Sequence, residues 1–167
     1  MKAAETLLSA YGLVPELEDN DALDRILDIF SAVVFYVPAQ IYSKAFQGRS
    51  YLLHFDQKNS FDGPLHGRAS HILDVAYLFQ NFNEHLTSTE VQVAEIFAEK
   101  MIAFIAGQKP WKNYDEAGTA FILGDGLAQE LSFSEYKGRK TVIWKIVEEV
   151  GADKLISVLF AYMSGAN

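Results

Sequence analysis

Apolar residues in this chain follow two rhythms, and the changes between them mark its elements. Leu23, Ile26, Leu27, Phe30, Val33 and Val34 recur at three- and four-residue intervals, which predicts a helix with one apolar face. Asn20 or Asp21 can cap its start, and Pro38, which disfavours helical backbone at Val37, predicts its end. A short helix over about Ala3 to Tyr11, closed by Gly12 and Pro15, precedes it; another over Ala39 to Phe46, closed by Gly48, comes after it. The rhythm then breaks. Tyr51-Leu52-Leu53-His54-Phe55 is a continuous apolar and aromatic run that reads as a buried strand. The segment from Asp56 to Ser70, with Gly63, Pro64 and Gly67, cannot continue it and reads as a loop ending at His71.

Beyond that loop, Ile72 to Phe79 is compact and helical or turn-rich. Thr87-Ser88-Thr89-Glu90 is a capping box and opens a helix to about Ala106, with Val93, Ile96, Phe97, Met101, Phe104 and Ile105 on one face. Gly107 and Pro110 stop it. Weaker strand signals lie at Thr119 to Leu123 and Leu131 to Phe133, and two helices, about Arg139 to Val150 and Asp153 to Met163, meet at Gly151. The reading is one mostly helical unit, residues 1–167, with no internal repeat or linker. A single strand cannot satisfy its own backbone, so it needs sheet neighbours. The weak segments near 120 and 132 are one source; sequence outside this chain is the other, and the favoured one.

Charge narrows the function. With 22 acidic against 14 basic residues the net charge is -8, and the densest basic run is the Arg139-Lys140 pair after Gly138, which argues against nucleic acid and anionic membrane surfaces as partners. No cysteine is present, so thiolate chemistry and disulfides are excluded and the redox compartment stays open. Glu5 interrupts what a secretory core would need, and the longest apolar run, Ala32 to Val37, is too short for a membrane span; a cytoplasmic location is the default expectation.

His71, two residues, Asp74, Val75, one residue, Tyr77, Leu78 and Phe79 form a spaced pattern behind a strand and a loop. It resembles the segment around the catalytic histidine of type-B carboxylesterases, the family that includes cholinesterases. Phe35-Tyr36-Val37-Pro38 before the strand is similar to the family's approach to that loop. Leu78-Phe79-Gln80-Asn81-Phe82, the helix from Thr87 and the Gln108-Lys109-Pro110-Trp111 corner resemble the family's region beyond the histidine, nearest the bacterial and fungal branch. The likeness covers roughly residues 20 to 115.

The resemblance implies the C-terminal part of an α/β-hydrolase fold, with His71 as general base and a small-molecule carboxylic ester as substrate once the rest of the catalytic machinery is supplied. Such an enzyme uses serine, acid and histidine in that chain order. No Gly-x-Ser-x-Gly elbow is present: Gly48 precedes Ser50 but Leu52 follows, and Ser70 and Ser164 lack the flanking glycines. Asp115-Glu116 with Gly118 lies after His71, the wrong side for the family's acid. Without the nucleophile and oxyanion hole, little turnover is expected from this chain alone. An oligomer or a complementing chain is one expectation; a non-catalytic interaction module is the alternative.

No cofactor is implied. A metal site from His66 and His71 with Asp62 or Asp74 lacks ligand spacing, and Asp74 reads as a cap or ion-pair partner. Phe30, Phe35, Tyr36, Tyr77 and Phe79 read as core aromatics, one or two of which could line an acyl pocket, and Trp111 and Trp144 read as core or edge residues.

Overall fold

A computed structural model describes residues 2–115, 118–136 and 139–165. Gly138 and Glu116 lie outside the described residues. The chain divides into two compact units, one built from its two ends (Met1–Ala45 with Tyr136–Asn167) and one from its centre (Phe46–Glu135).

The unit from the chain ends is helical: α1 (Lys2–Ala10), α2 (Asp19–Ser31), a π-helical segment (Ala32–Tyr36), α3 (Val37–Ala45), α6 (Arg139–Val150) and α7 (Ala152–Met163). The expected break at Pro38 does not occur. The π segment runs directly into α3, with the Val37 N–H bonded to the Ala32 carbonyl five residues back. Proline clashes with the carbonyl four residues behind it and brings no N–H, and a widened π turn just ahead of the ring relieves both demands. The helix from Asp19 to Ala45 is therefore 27 residues long and, by length and composition, could cross a membrane, which the sequence broken at Pro38 did not suggest.

Its buried positions run from Ile29 to Gln40. Ile29, Ala32, Val33, Tyr36, Val37 and Gln40 form one stripe that packs toward α6 and α7, while Asp19, Asp21, Asp24 and Asp28 charge its first half. The stripe is rotated from the expected one: Leu23 and Leu27 are exposed, because packing is set by the second half of the long helix. The cap also differs, since Glu18 occupies the N-cap position without a side-chain bond. On α6, Ile143, Ile146 and Val147 are buried at helical spacing, and Gly151, at φ +86°, breaks α6 from α7. Aromatic and cationic contacts finish this core: Phe30 meets Phe160 edge to face, and Lys44 lies 5.9 Å from the Trp144 ring centre.

The central unit carries the sheet. Strands β1 (Leu52–Phe55), β2 (Ala120–Gly124) and β3 (Leu127–Leu131) lie in the order β1-β2-β3. β1 pairs parallel to β2 (Leu52 opposite Ala120), and β2 pairs antiparallel to β3 (Ala120 opposite Leu131). The sheet neighbours that β1 requires are thus found within the chain, against the favoured expectation. The third strand lies earlier than expected, because Leu127–Leu131 completes a two-residue hairpin at Asp125-Gly126, leaving Ser132 and Phe133 beyond the ladder. Both turn residues have positive φ, as a type I′ turn demands, and Asp-Gly is among the dipeptides that adopt it most readily.

Helices α4 (Leu73–Leu78) and α5 (Ser88–Ile105) cover one face of this sheet. Leu53, Phe55, Phe121 and Leu123 point into a core with Leu73, Tyr77, Val93, Ala94, Phe97 and Trp111; Trp111 stacks on Phe121 at 5.1 Å. Leu52, Ala120 and Ile122, on the alternate positions, are buried too, which explains why these strands read as continuous apolar runs. The architecture is mostly helical with a small mixed sheet, an α/β arrangement.

Candidate functional site

The geometry around His71 begins at the carboxyl end of β1. The Asp56 N–H donates to the Leu123 carbonyl at 2.6 Å and extends the parallel ladder by one residue before the chain leaves the sheet. Gln57 comes next, buried, its Oε1 accepting the Gly126 N–H at 3.0 Å, so the loop base is tied to the β2–β3 hairpin. The loop is then pinched shut. Asn59 donates its N–H to the Arg68 carbonyl (2.9 Å) and accepts the Gly67 N–H (2.7 Å). The Phe61 N–H meets Asn59 Oδ1 at 2.9 Å, and the Phe61 ring stands edge-on to Phe82 and His85.

His71 sits where this loop turns into α4. Ser70 accepts the Leu73 N–H at 3.2 Å, and Ile72 adopts φ +71°, a left-handed conformation that costs a branched residue free energy and persists only where its surroundings enforce it. The anchors are Leu73 and Tyr77, both buried, further along α4. The His71 imidazole is exposed and makes no hydrogen bond or ion pair among the described residues. In chain order it follows the carboxyl end of parallel strand β1, after the loop.

Below it lies a buried polar knot. The Tyr77 hydroxyl donates to Glu90 Oε1 at 3.3 Å, while the Thr87 N–H and hydroxyl both reach Glu90 Oε2 at 2.8 Å, completing the capping box of α5. Burial pushes the Glu90 carboxyl upward in pKa, but the donors around it, Thr87 first and then the Ser60 and Tyr77 hydroxyls, outweigh this and hold it below its ordinary value. Burial, and then the Glu90 charge, push the Tyr77 phenol far above its ordinary value. One carboxylate thereby ties the start of α5 to the carboxyl end of α4, the helix that follows the His71 turn.

The other predicted positions are dispersed. His66 is exposed, its Nδ1 3.2 Å from the Phe61 carbonyl, and Asp62 is exposed on the same loop. Asp74, in the first turn of α4, has neither the cap bond nor the ion pair expected of it among the described residues. Among the described residues no group of three or more His, Asp or Glu could hold a metal ion. Tyr36 and Tyr77 are core aromatics as expected; Phe35 and Phe79, at 60% and 69% exposure, are not. Phe30, Phe35 and Tyr36 belong to the unit of the chain ends, and His71 to the central one.

One pair escaped the sequence reading. His54 Nε2 lies 3.3 Å from Asp56 Oδ1, an imidazole and a carboxylate two residues apart on an extended chain and so on one face. The signal was the alternation His-x-Asp at the end of a strand. His54 is largely buried, at 14% side-chain exposure, so it serves the strand end better than a substrate. Away from the loop, Lys109, Pro110, Trp111, Lys112 and Glu130 line a surface groove in which Lys112 is paired with Asp115 at 2.8 Å. No protein-family model matches this chain, and no curated protein matches it.

Proposed function

We propose that this chain is the C-terminal portion of a serine carboxylic-ester hydrolase of the type-B carboxylesterase kind, with an α/β-hydrolase fold and His71 as general base. One observation carries the reading: an exposed imidazole with no side-chain partner among the described residues follows a clasped loop that leads, in chain order, from the carboxyl end of parallel strand β1. The spacing from His71 through Asp74 to Phe79 supports it, as does a buried anchor, Tyr77 on Glu90, that holds the turn. In this reading the imidazole takes the proton of a serine hydroxyl supplied from outside the chain and later passes it to the leaving alkoxide.

The test is to read and express the coding sequence directly upstream in frame together with this chain. The expected result is a Gly-x-Ser-x-Gly elbow upstream and p-nitrophenyl butyrate hydrolysis that falls on the order of 10⁶-fold in His71→Ala, the loss typical of removing the base of a triad. Turnover indifferent to His71, or an upstream region without an elbow, overturns the reading. The second outcome favours an interaction module instead. Ile72, Val75, Phe79 and Phe82 support that alternative, since all four are exposed apolar residues on or beside α4.

A further inference from the structure

The chain contains two Asp-Gly dipeptides, Asp62-Gly63 and Asp125-Gly126, and the structure treats them oppositely. Glycine offers no Cβ to shield its nitrogen, so an aspartate before it can cyclise onto that nitrogen when both groups are free to approach. Exposure does not separate the two sites: Asp62 is exposed, and the Asp125 side chain is 73% exposed. Engagement does. The Gly126 N–H is committed to Gln57 Oε1 at 3.0 Å, on a residue only 4% exposed, and Asp125 Oδ1 pairs with Lys58 Nζ at 3.2 Å. Both residues are also held in a two-residue turn between paired strands. At the other site the Gly63 N–H and the Asp62 carboxylate have no partner among the described residues. Gly63 has φ +140°, a region that a residue with a side chain rarely enters.

We propose that Asp62 is a modification site of this protein, converting to isoaspartate in the folded state while Asp125 is protected. The Gly63 nitrogen, losing its proton, attacks the Asp62 side-chain carboxyl carbon; a C–N bond forms and the carboxyl oxygen leaves as water. The resulting five-membered succinimide is opened by one water molecule. Attack on the main-chain carbonyl yields isoaspartate, and attack on the side-chain carbonyl restores aspartate. Water lost equals water gained, and no oxidant or other reactant enters.

The product lengthens the main chain by one atom inside a turn that His66 bridges. Its N–H donates to the Gly63 carbonyl at 3.1 Å and its Nδ1 lies 3.2 Å from the Phe61 carbonyl, so the modification re-sets the loop that leads to His71. This inference does not depend on the function proposed above.

The test ages the folded chain at neutral pH and physiological temperature, with a denatured sample beside it, and maps isoaspartate by electron-transfer fragmentation mass spectrometry. In the folded chain isoaspartate at 62 accumulates about tenfold faster than at 125, the factor that ~1.4 kcal/mol of barrier produces; in the denatured chain the two rates converge. Asp62→Glu, whose ring would need six members, removes the signal at 62. Lys58→Ala, an exposed change, and Gln57→Ala raise it at 125. Equal or faster conversion at 125 in the folded chain, or none at 62 while the denatured chain converts, overturns the proposal.

Discussion

In the central unit the long-range ties are directional: Gly126 on Gln57, Tyr77 on Glu90, and a parallel strand pair joined across the interval from residue 55 to residue 120. In the unit of the chain ends they are apolar, a stripe from Ile29 to Val37 set against Ile143 and Ile146, with lysines laid over the rings of Trp144 and Tyr36. The difference teaches where specificity resides. A helical core is less strict about which stripe it buries, because apolar burial has no direction. A sheet with a buried carboxylate does not, because each donor needs its acceptor.

The largest effects test apolar volume, on which the two units are alike. Leu123→Ala in the central unit and Ile143→Ala in the other each remove a side chain with no exposed surface and are expected to cost about 3 kcal/mol. Urea denaturation followed by tryptophan fluorescence measures both. A loss near zero at either position would mean that the site is not closed.

Directional ties should separate the units next. Glu90→Ala removes a capping box and strands a buried phenol, for an expected loss of about 2 kcal/mol. The pH dependence sharpens this. Glu90 is held below its ordinary 4.5, so its contribution is complete above that value and fades as the pH falls below it. Tyr77 is held above its ordinary 10.0, so its contribution is complete below that value and fades as the pH rises past it. Stability measured across pH should show a plateau between these limits, with Glu90→Gln flattening the acid limb and Tyr77→Phe the alkaline one. An acid limb unchanged in Glu90→Gln would assign it to other carboxylates.

The smallest effect lies at the hairpin. Gly126→Ala places a Cβ 2.7 Å from Thr89 Cγ2 at φ +74°, a left-handed conformation costing an alanine about 1 kcal/mol before the contact is relieved. Hydrogen exchange at the β2–β3 amides should rise in this variant while α6 stays unchanged.

Much of this was legible locally. Thr87 and Glu90 announced the start of α5, and the helix expected over about Arg139 to Val150, ended by Gly151, is α6. The Asp125-Gly126 hairpin has its signal in turn chemistry and not in an apolar run, so the hydrophobic pattern sets β3 too late, at Leu131 to Phe133. Pro38 was read for its local preference, yet a π turn just upstream accommodates it. His71 was singled out by spacing alone, whereas the Tyr77–Glu90 knot in the helix after it joins residues whose contact no local pattern announces.

What the sequence determined by itself is carried by neighbours a few residues apart: the capping box of α5, the existence of the helices, the glycine stops and the loop before His71. What only the tertiary structure decided is pairing across distance. β1 finds β2 beyond the loop, α4 and α5, β2 is buried on both faces, and the long helix turns a different stripe inward. The physical reason is that local preferences of a few tenths of a kcal/mol per residue yield to the burial of whole side chains, at roughly 1.5–3 kcal/mol each.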